Sequence, residues 1–372
     1  MKMNKWTMGL AAAGVVTLSS VAQAQDAAAG AEALAASTTL SGYVSTGYHY
    51  GNGQATGGEN YFRAADGQNA FSLDVVDLKL SSAQGDGAMA TGYTVELWMG
   101  PAATDIGTQD SGANVGTVEL MQANIDLRWN DIDLKVGQFG TVVGNEVYNY
   151  NENAFYTHSW GFAIEPTHHT GLLASYTVSD DLQIAAGLAN STSASINAKG
   201  ANQSNKTVLA SVSYTLPSGT GALAGTELYY GYVSGMGSAG VAAKNDDYHY
   251  ASAKLPELVA NLSIKATWDH VEYGAREADS NVVGLNLSYN LDASTDINVR
   301  YEMGNMNTAA AGTAQGLGTG NADNLQSFTV GVNRKIWDNV TSRIEYRSDS
   351  VDTTGSVDDQ QSVVALNLIY SF

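Results

Sequence analysis

Apolar and polar residues alternate along most of the chain, as at Leu262, Ile264, Ala266 and Trp268. Because successive side chains of a strand point to opposite faces, this period of two predicts β-strands with one apolar face. Segments of about ten residues, separated by turn-forming residues, are typical of a transmembrane β-barrel. About sixteen strands are predicted, near residues 39–50, 71–82, 91–100, 116–128, 131–138, 171–178, 182–190, 206–216, 225–234, 247–254, 260–272, 281–290, 294–304, 324–335, 340–349 and 361–372.

Short and long connections alternate between these strands. The tightest are residues 129–131, 179–181 and 337–339, where Asn and Asp suit turns because their side chains bond to nearby backbone. The pattern predicts an all-β fold, a transmembrane antiparallel β-barrel of about 16 strands with long extracellular loops and short periplasmic turns. A soluble β-sandwich is the alternative, and the strand count and loop lengths disfavour it. In the second strand the apolar face changes phase near Val75 and Val76, which predicts a β-bulge.

The last predicted strand carries an apolar face that ends at an aromatic residue. Val364, Leu366, Leu368, Tyr370 and Phe372 share that face. We interpret Tyr370 and Phe372 as the insertion signal that barrel-insertion machinery reads, and an ordinary edge strand is the alternative.

The N-terminal region predicts secretion. Lys2 and Lys5 precede a short apolar run, and Ala22-Gln-Ala24 is a small-x-small cleavage site. The run is too short for a membrane anchor, which needs ~20 apolar residues. We therefore expect a signal peptide at residues 1–24, an Ala-rich periplasmic lead segment at 25–37 and a single barrel at 38–372.

Composition and charge exclude some function classes. The chain has 40 Gly, 20 Tyr, no Cys and a formal net charge of −20. Such acidity argues against nucleic-acid binding, since phosphates are bound by Lys and Arg. Because the chain has no Cys, disulfide bonds do not contribute to its stability.

The polar face of the strands is charged, so the barrel interior is expected to be wet. Unpaired charges in a dry interior would each cost several kcal/mol. Arg300, Arg343 and Arg347 are predicted to form a basic patch on one side of the lumen, or else to pair with Glu302 and Glu345. The inward charges are Asp77, Lys79, Glu96, Asp126, Arg128, Asp133, Lys135, Glu227, Lys265, Asp269, Arg300, Glu302, Arg343, Glu345 and Arg347.

The longest connection, residues 139–170, is rich in aromatic residues, which argues against disorder. Its aromatic side chains are predicted to anchor it against the inner wall, chiefly Phe155, Tyr156, Trp160 and Phe162. It also carries the carboxylates Glu146, Glu152 and Glu165.

Within and beside this connection the sequence resembles a known family. The segments 135–139, 154–159, 161–162 and 165–171, together with Gly144, resemble the bacterial outer-membrane β-barrel porins called type two. The resemblance implies an outer-membrane channel for passive diffusion of small hydrophilic solutes and ions. It also implies contact with outer-membrane lipid and lipopolysaccharide, and a homotrimer as in many sixteen-stranded porins.

In porins the loop after the fifth strand folds into the lumen and narrows it. By this resemblance, residues 139–170 form the pore constriction, with Glu146, Glu152 and Glu165 facing Arg300, Arg343 and Arg347, the three arginines of the basic patch. Opposed charges of this kind set a transverse field that filters ions and polar solutes.

Other functions are also considered. A barrel that sheathes a partner protein, for example an electron-carrying cytochrome, is the alternative to a free pore. Ser263, His270 and Asn261 lie in one segment, but no nucleophile elbow marks an enzyme, so no catalytic residue is expected. His158, His168 and His169 could suggest a metal, yet the last two are adjacent and no Cys exists, so neither metal nor cofactor is expected.

Overall fold

The alternating segments form sixteen antiparallel strands of eight to sixteen residues. The computed structural model describes residues 16–17, 37–52, 70–105, 118–200, 204–237, 244–274, 277–306, 322–353 and 359–372. The strands are β1 (Thr38–Asn52), β2 (Phe71–Ser82), β3 (Thr91–Met99), β4 (Val118–Trp129), β5 (Ile132–Gly140), β6 (His168–Ser179), β7 (Leu182–Ala189), β8 (Thr207–Thr215), β9 (Glu227–Gly235), β10 (Asp246–Lys254), β11 (Leu262–Tyr273), β12 (Ala278–Asp292), β13 (Thr295–Met306), β14 (Ala322–Trp337), β15 (Val340–Thr353) and β16 (Asp359–Ser371).

Each strand pairs with its neighbours in sequence, and the last strand pairs with the first. At this seam Asn367 lies opposite Gly47. Gly42 N donates to Phe372 O at 3.0 Å, and Phe372 N donates to Gly42 O at 2.9 Å. The sheet is therefore closed and has no free edge, which is the condition for a sheet in hydrocarbon. The predicted fold class is confirmed.

The observed strands match the predicted ones to within a few residues. The largest differences are at β15, which extends to Thr353, and at β6 and β12, which begin at His168 and Ala278. In β2, Val75 and Leu73 pair with consecutive residues of β1, so that Asp74 is an extra residue. This bulge lies directly before the position where the phase change predicts it.

The apolar face of the strands points outward. On β12 the side chains of Val283, Leu285 and Tyr289 are exposed, whereas Arg300 and Glu302 of the adjacent β13 point inward and are buried. An apolar outer face can contact lipid, and a charged inner face can contact water or the polar groups of a loop inside the barrel. The alternation thus divides the wall as the sequence predicts.

The connections hold short helical segments and tight turns. Asn130 and Asn261 adopt left-handed conformations, with φ of 54° and 66°, which Asn tolerates better than most residues. The helical segments among the described residues are three 3₁₀ helices, Pro101–Asp105, Tyr150–Glu152 and Ser218–Leu223, and the α-helix α1 (Trp160–Ala163).

The N-terminal region contributes one short element. Val16–Thr17 forms a two-residue strand that pairs with Leu40 and Thr39 of β1. Residues 1–15 and 18–36, which include most of the predicted signal peptide and lead segment, lie outside the described residues. Within the described ranges, no helix is long and apolar enough to cross a membrane.

Candidate functional site

Residues 141–167, which connect β5 to β6, cross the inside of the barrel; we call them the lumen loop. On one side Asn149 Nδ2 donates to Glu96 Oε1 of β3 at 2.8 Å. On the other, Lys265 Nζ of β11 donates to Asn145 Oδ1. Because β3 and β11 stand eight strands apart in a ring of sixteen, they lie on opposite sides of the barrel. The lumen loop therefore spans the interior.

Three apolar clusters hold the lumen loop against different parts of the wall. In the first, Tyr150 and Tyr156 pack with Tyr43 and Trp98. In the second, Trp160 and Ile164 pack with inward residues of β11 to β15, and in the third, Val142 and Val143 pack with inward residues of β5 and β7 to β10. The wall residues of the second cluster are Val271, Tyr273, Val282, Met306, Leu325 and Val351, and those of the third are Phe139, Ala189, Leu209, Val233 and Tyr250.

The short helix α1 fixes the middle of the lumen loop. Ser159 is its N-cap, and its Oγ accepts a hydrogen bond from Phe162 N at 3.1 Å. The backbone N–H of Ser159 donates to Glu146 Oε2 at 2.6 Å. The cap therefore joins both halves of the loop and aims Trp160 at the second cluster.

Arg300 of β13 binds the lumen loop through its side chain. Its Nη1 lies 2.5 Å from Glu146 Oε1 and donates to Thr157 O at 3.1 Å. Its Nη2 donates to Thr157 Oγ1 at 3.1 Å, and its guanidinium carbon lies 4.6 Å from the centre of the Phe155 ring. Arg300 therefore binds the loop through one ion pair, a backbone carbonyl, a hydroxyl and one aromatic face.

Arg343 and Arg347 of β15 also bind the lumen loop, but through its backbone. Arg343 Nη1 donates to Tyr150 O at 2.6 Å, and its Nη2 donates to Asn153 O at 2.8 Å. Arg347 Nη1 donates to His158 O at 2.5 Å. The three arginines lie on one side of the barrel and are buried beneath the loop. Arg300 also pairs with Glu302, with 3.3 Å between Nε and Oε2, as the alternative expects.

Carboxylates of the same wall accept the backbone N–H groups of the lumen loop. Glu345 Oε2 accepts from Tyr156 N at 2.7 Å, and Glu302 Oε1 accepts from Trp160 N at 2.8 Å. Buried backbone N–H and C=O groups outside strands and helices need hydrogen-bond partners from other parts of the chain. The alternating Arg and Glu side chains of β13 and β15 supply those partners.

The bulged residue Asp74 joins three parts of the chain. Its Oδ1 accepts from Tyr156 Oη of the lumen loop at 2.7 Å. Its Oδ2 accepts from Ser45 Oγ of β1 at 2.7 Å and from Asn367 Nδ2 of β16 at 3.4 Å. A bulge re-aims a side chain, and here it directs a carboxylate to the seam of the barrel.

The three predicted loop carboxylates have different surroundings. Only Glu146 contacts an arginine; its burial raises its pKa, but Arg300, His158 and the N–H of Ser159 outweigh this, and the pKa lies below its ordinary value. Glu152 is exposed and accepts from Asn149 Nδ2 at 3.1 Å. Glu165 lies beside Asp269, not beside the arginines, and shares a hydrogen bond with it.

Burial raises the pKa of Glu165 well above its ordinary value, and the charge of Asp269 adds to the shift. Glycines leave room for this pair, since a Cβ at Gly144 would collide with Glu165 and one at Gly161 would collide with Asp269. Glu165 therefore joins the loop to β11 through its hydrogen bond with Asp269.

The four aromatic residues predicted as anchors are all buried. Phe155 lies against Arg300, Tyr156 binds Asp74, and the Trp160 ring lies 5.2 Å from the guanidinium carbon of Arg347. Phe162 stacks on His158 with 4.1 Å between ring centres. At the C-terminus, the rings of Tyr370 and Phe372 lie 6.3 Å apart.

The histidines of this region contact backbone, hydroxyl and aromatic groups of the loop and the wall. His158 Nε2 lies 2.9 Å from Val147 O, and burial lowers its pKa below the ordinary value. His169 Nε2 lies 3.0 Å from Thr141 Oγ1, and the His168 ring lies 5.7 Å from that of Tyr148. Across the described part of the chain, no group of three or more His, Cys, Asp or Glu is arranged to hold a metal ion.

Several residues of the site were not predicted. Asn149, Thr157 and Ser159 bind wall or loop groups, and nothing in their local sequence marks them. Gly47 and Gly231 leave room for the loop, since a Cβ would meet Tyr156 Oη at Gly47 and Val142 O at Gly231. Asp74 had a signal, the phase change in its strand.

Comparison with known families gives one match over nearly the whole chain. Residues 37–372 match the family described as "Putative beta-barrel porin-2, OmpL-like". Among curated proteins, none shows significant sequence similarity to this chain.

Solved structures with a similar fold are outer-membrane proteins. The outer membrane channel DcaP of Acinetobacter baumannii has a TM-score of 0.62 at 11% identity, covering 90% of this chain and 97% of DcaP. An anion-selective porin from Comamonas acidovorans has a TM-score of 0.60 at 12% identity, covering 90% of this chain and 99% of that porin. The trimer form of OmpT from Vibrio cholerae has a TM-score of 0.58 at 11% identity, also with 90% and 99% covered.

Proposed function

Because this chain belongs to the β-barrel porin-2 family, we propose that it forms a water-filled channel for passive diffusion of small hydrophilic solutes and ions. The family and the similar structures support a porin-like barrel in the bacterial outer membrane. Sixteen strands make a barrel wide enough for an aqueous channel, whereas side chains alone fill a barrel of about eight. The charged inner wall is consistent with water inside.

The observation that carries the proposal is the lumen loop, which crosses the interior between β3 and β11. We propose that it sets the narrowest part of the pore. Arg300, Arg343 and Arg347 hold it to one wall, and Glu146 belongs to that attachment. Its exposed residues, among them Val147, Asn151, Glu152 and Ala154, line the passage that remains.

A sheath around a partner protein is less consistent with this arrangement. A protein threaded through the barrel would need the interior space that the lumen loop occupies. A channel for small solutes needs only the gap beside the loop.

An enzyme is also less consistent with the geometry. Ser263 points inward and His270 points outward, because they stand at odd and even positions of the same regular strand. They therefore cannot act as a nucleophile and base. The porin family and the porin neighbours likewise support a channel rather than an enzyme.

Reconstitution of the purified protein in a planar lipid bilayer tests the proposed function. We expect stepwise ion conductance from the protein alone, and uptake of small sugars into liposomes with a sharp upper size limit. If correctly folded protein gave no conductance in bilayers and left liposomes impermeable, the proposal would be overturned. A haem absorbance band that co-purifies in stoichiometric amount would favour the sheath.

The proposed partners are outer-membrane lipid and lipopolysaccharide, the barrel-insertion machinery that would read Tyr370 and Phe372, and two further copies of the chain. The trimer form of the similar OmpT structure supports a homotrimer. Chemical cross-linking in native outer membranes tests it, with a three-chain band expected. N-terminal sequencing of the membrane form tests cleavage after Ala24, with Gln25 expected first.

A further inference from the structure

The positive charge on one side of the lumen is buried beneath the lumen loop. Exposure of Arg300, Arg343 and Arg347 is 1%, 5% and 1%. Their guanidinium groups donate to Glu146 and to backbone carbonyls of the loop. A solute that passes the other side of the loop therefore does not meet these charges directly.

The exposed surface of the lumen loop carries a carboxylate. Glu152 is exposed there and, among the described residues, makes no ion pair. Behind it lie Glu96 and Asp77, both buried, with Lys79 as the neighbouring cation. Lys79 Nζ lies 3.5 Å from Glu96 Oε2, so the positive charge is already paired.

Glu152 interacts electrostatically with both Lys79 and Asp77, which places all three in one group. Asp77 and Glu96 share a hydrogen bond, so these two carboxyl groups carry one negative charge between them, which Lys79 balances. Two polar atoms of the group, Asp77 Oδ1 and Asn149 Oδ1, are buried without a hydrogen-bond partner. The negative charge of the group that faces solvent is therefore that of Glu152.

The charges on the neighbouring strands β4 and β5 form close pairs. Lys135 Nζ lies 2.7 Å from Asp126 Oδ1, and Arg128 Nε lies 2.7 Å from Asp133 Oδ1. Such pairs contribute little net potential at a distance.

Across the barrel, Lys265 donates to the neutral Asn145 of the lumen loop, with Asp269 and Glu165 near it. Glu152 is therefore the exposed carboxylate of the lumen loop on the side of β2 and β3.

We propose that the passage beside the lumen loop selects small cations over anions, and that Glu152 is the residue that determines this selectivity. The inference rests on the proposed channel function and specifies its substrate class. A cleft with one sign of charge and low-dielectric walls concentrates the opposite ion, and rings of Asp or Glu select cations in other channels. The arginines, which would favour anions, are occupied in holding the loop.

Reversal potentials in a potassium chloride gradient test this inference. Wild-type protein is expected to pass potassium more readily than chloride. Glu152→Gln should lower the potassium-to-chloride permeability ratio by about 25-fold, because one unit charge acting at ~4 Å in water changes the local concentration of each ion by about fivefold, in opposite directions. Glu152→Lys should lower it further and bring it to anion preference. Because Glu152 is exposed, neither change removes a buried contact.

Asp338→Asn is the matched control, since Asp338 is an exposed carboxylate in the short turn between β14 and β15. It should leave the ratio unchanged. Conductance with anion preference in the wild type, or a ratio that Glu152→Gln does not alter, would overturn the inference and leave the channel function standing. A complete lack of conductance in folded wild-type protein would overturn both.

Discussion

Arg300 of the barrel wall and Glu146 of the lumen loop form a buried ion pair, with 2.5 Å between Nη1 and Oε1 and only 1% and 6% of the two side chains exposed. Removing one partner of a buried pair leaves the other charge uncompensated, which typically costs about 3–5 kcal/mol. The lumen loop can lower this cost by leaving the wall, because Glu146 would then reach water. The lumen loop is therefore expected to stay against the wall only while this ion pair is intact.

Arg300→Ala is expected to release the lumen loop from β13. Single-channel conductance should rise and fluctuate, and chymotrypsin should cleave the loop, which is rich in aromatic residues and has no Lys or Arg. Arg334→Ala is the control, because Arg334 is exposed near the end of β14. Unchanged conductance and protease resistance in Arg300→Ala would contradict the proposed attachment.

Trp160→Ala is expected to empty the centre of the second apolar cluster. Trp160 is 2% exposed and packs with Leu325 and Val351, and truncation of a buried Trp costs about 3–5 kcal/mol. Chymotrypsin cleavage of the native protein and the urea midpoint of unfolding measure the effect. Trp337→Ala should change neither, because Trp337 is 71% exposed; equal effects at both positions would argue against a packed anchor.

Gly47→Ala is expected to displace Tyr156, because the new Cβ would occupy the position of its hydroxyl oxygen. Overpacking of this kind costs about 1–3 kcal/mol. Tyr156→Phe in the same chain should recover part of the loss, since it removes the colliding atom. Gly140→Ala is the control because a Cβ there meets nothing within 4 Å. A double-mutant cycle in urea measures the coupling, and a zero coupling energy would contradict the contact.

Docking of the lumen loop should weaken as pH rises, because of Glu165. Burial, together with Asp269, holds the pKa of Glu165 well above its ordinary value. The docked state then binds more protons than the undocked state, so stability falls as pH rises from about 4.3, the unperturbed glutamate pKa, toward the raised one. Current noise of single channels across this range should increase with pH.

Glu165→Gln should remove the part of this pH effect that comes from Glu165, because an amide does not titrate. The pairing of Glu146 has the opposite sign, since its lowered pKa means that its contribution is lost only as pH falls through that lower value. In Glu165→Gln, docking of the lumen loop should therefore still weaken in strong acid. An alkaline rise in noise that persists in Glu165→Gln would show that another group is responsible.

The strands of the barrel wall could be predicted from the sequence because each strand's pattern depends only on residues close together in the chain. A strand has a side-chain period of two, so the alternation at Ile264, Ala266 and Trp268 alone identifies the lipid-facing side. Turn residues such as Asn130 mark where a strand ends. Even the bulge at Asp74 leaves a local signal, since an extra residue shifts the phase of the pattern.

The contacts of the lumen loop could not be predicted in the same way. The sequence indicates that Glu146, Glu152 and Glu165 are close to the wall, but not which wall residue each one meets. That depends on the path of the loop, which the cap at Ser159 and the partners of its backbone N–H and C=O groups determine. Glu165 was expected opposite arginine and instead meets Asp269.

The hydrogen bonds of Asp74 have a consequence for the order of folding. Its partners Tyr156 and Asn367 belong to the lumen loop and to the final strand. Contacts between residues far apart in sequence form slowly, and β16 is the strand that closes the barrel against β1. Tyr156 therefore reaches its complete binding site only after the barrel has closed, and we expect the proposed passage to narrow only then.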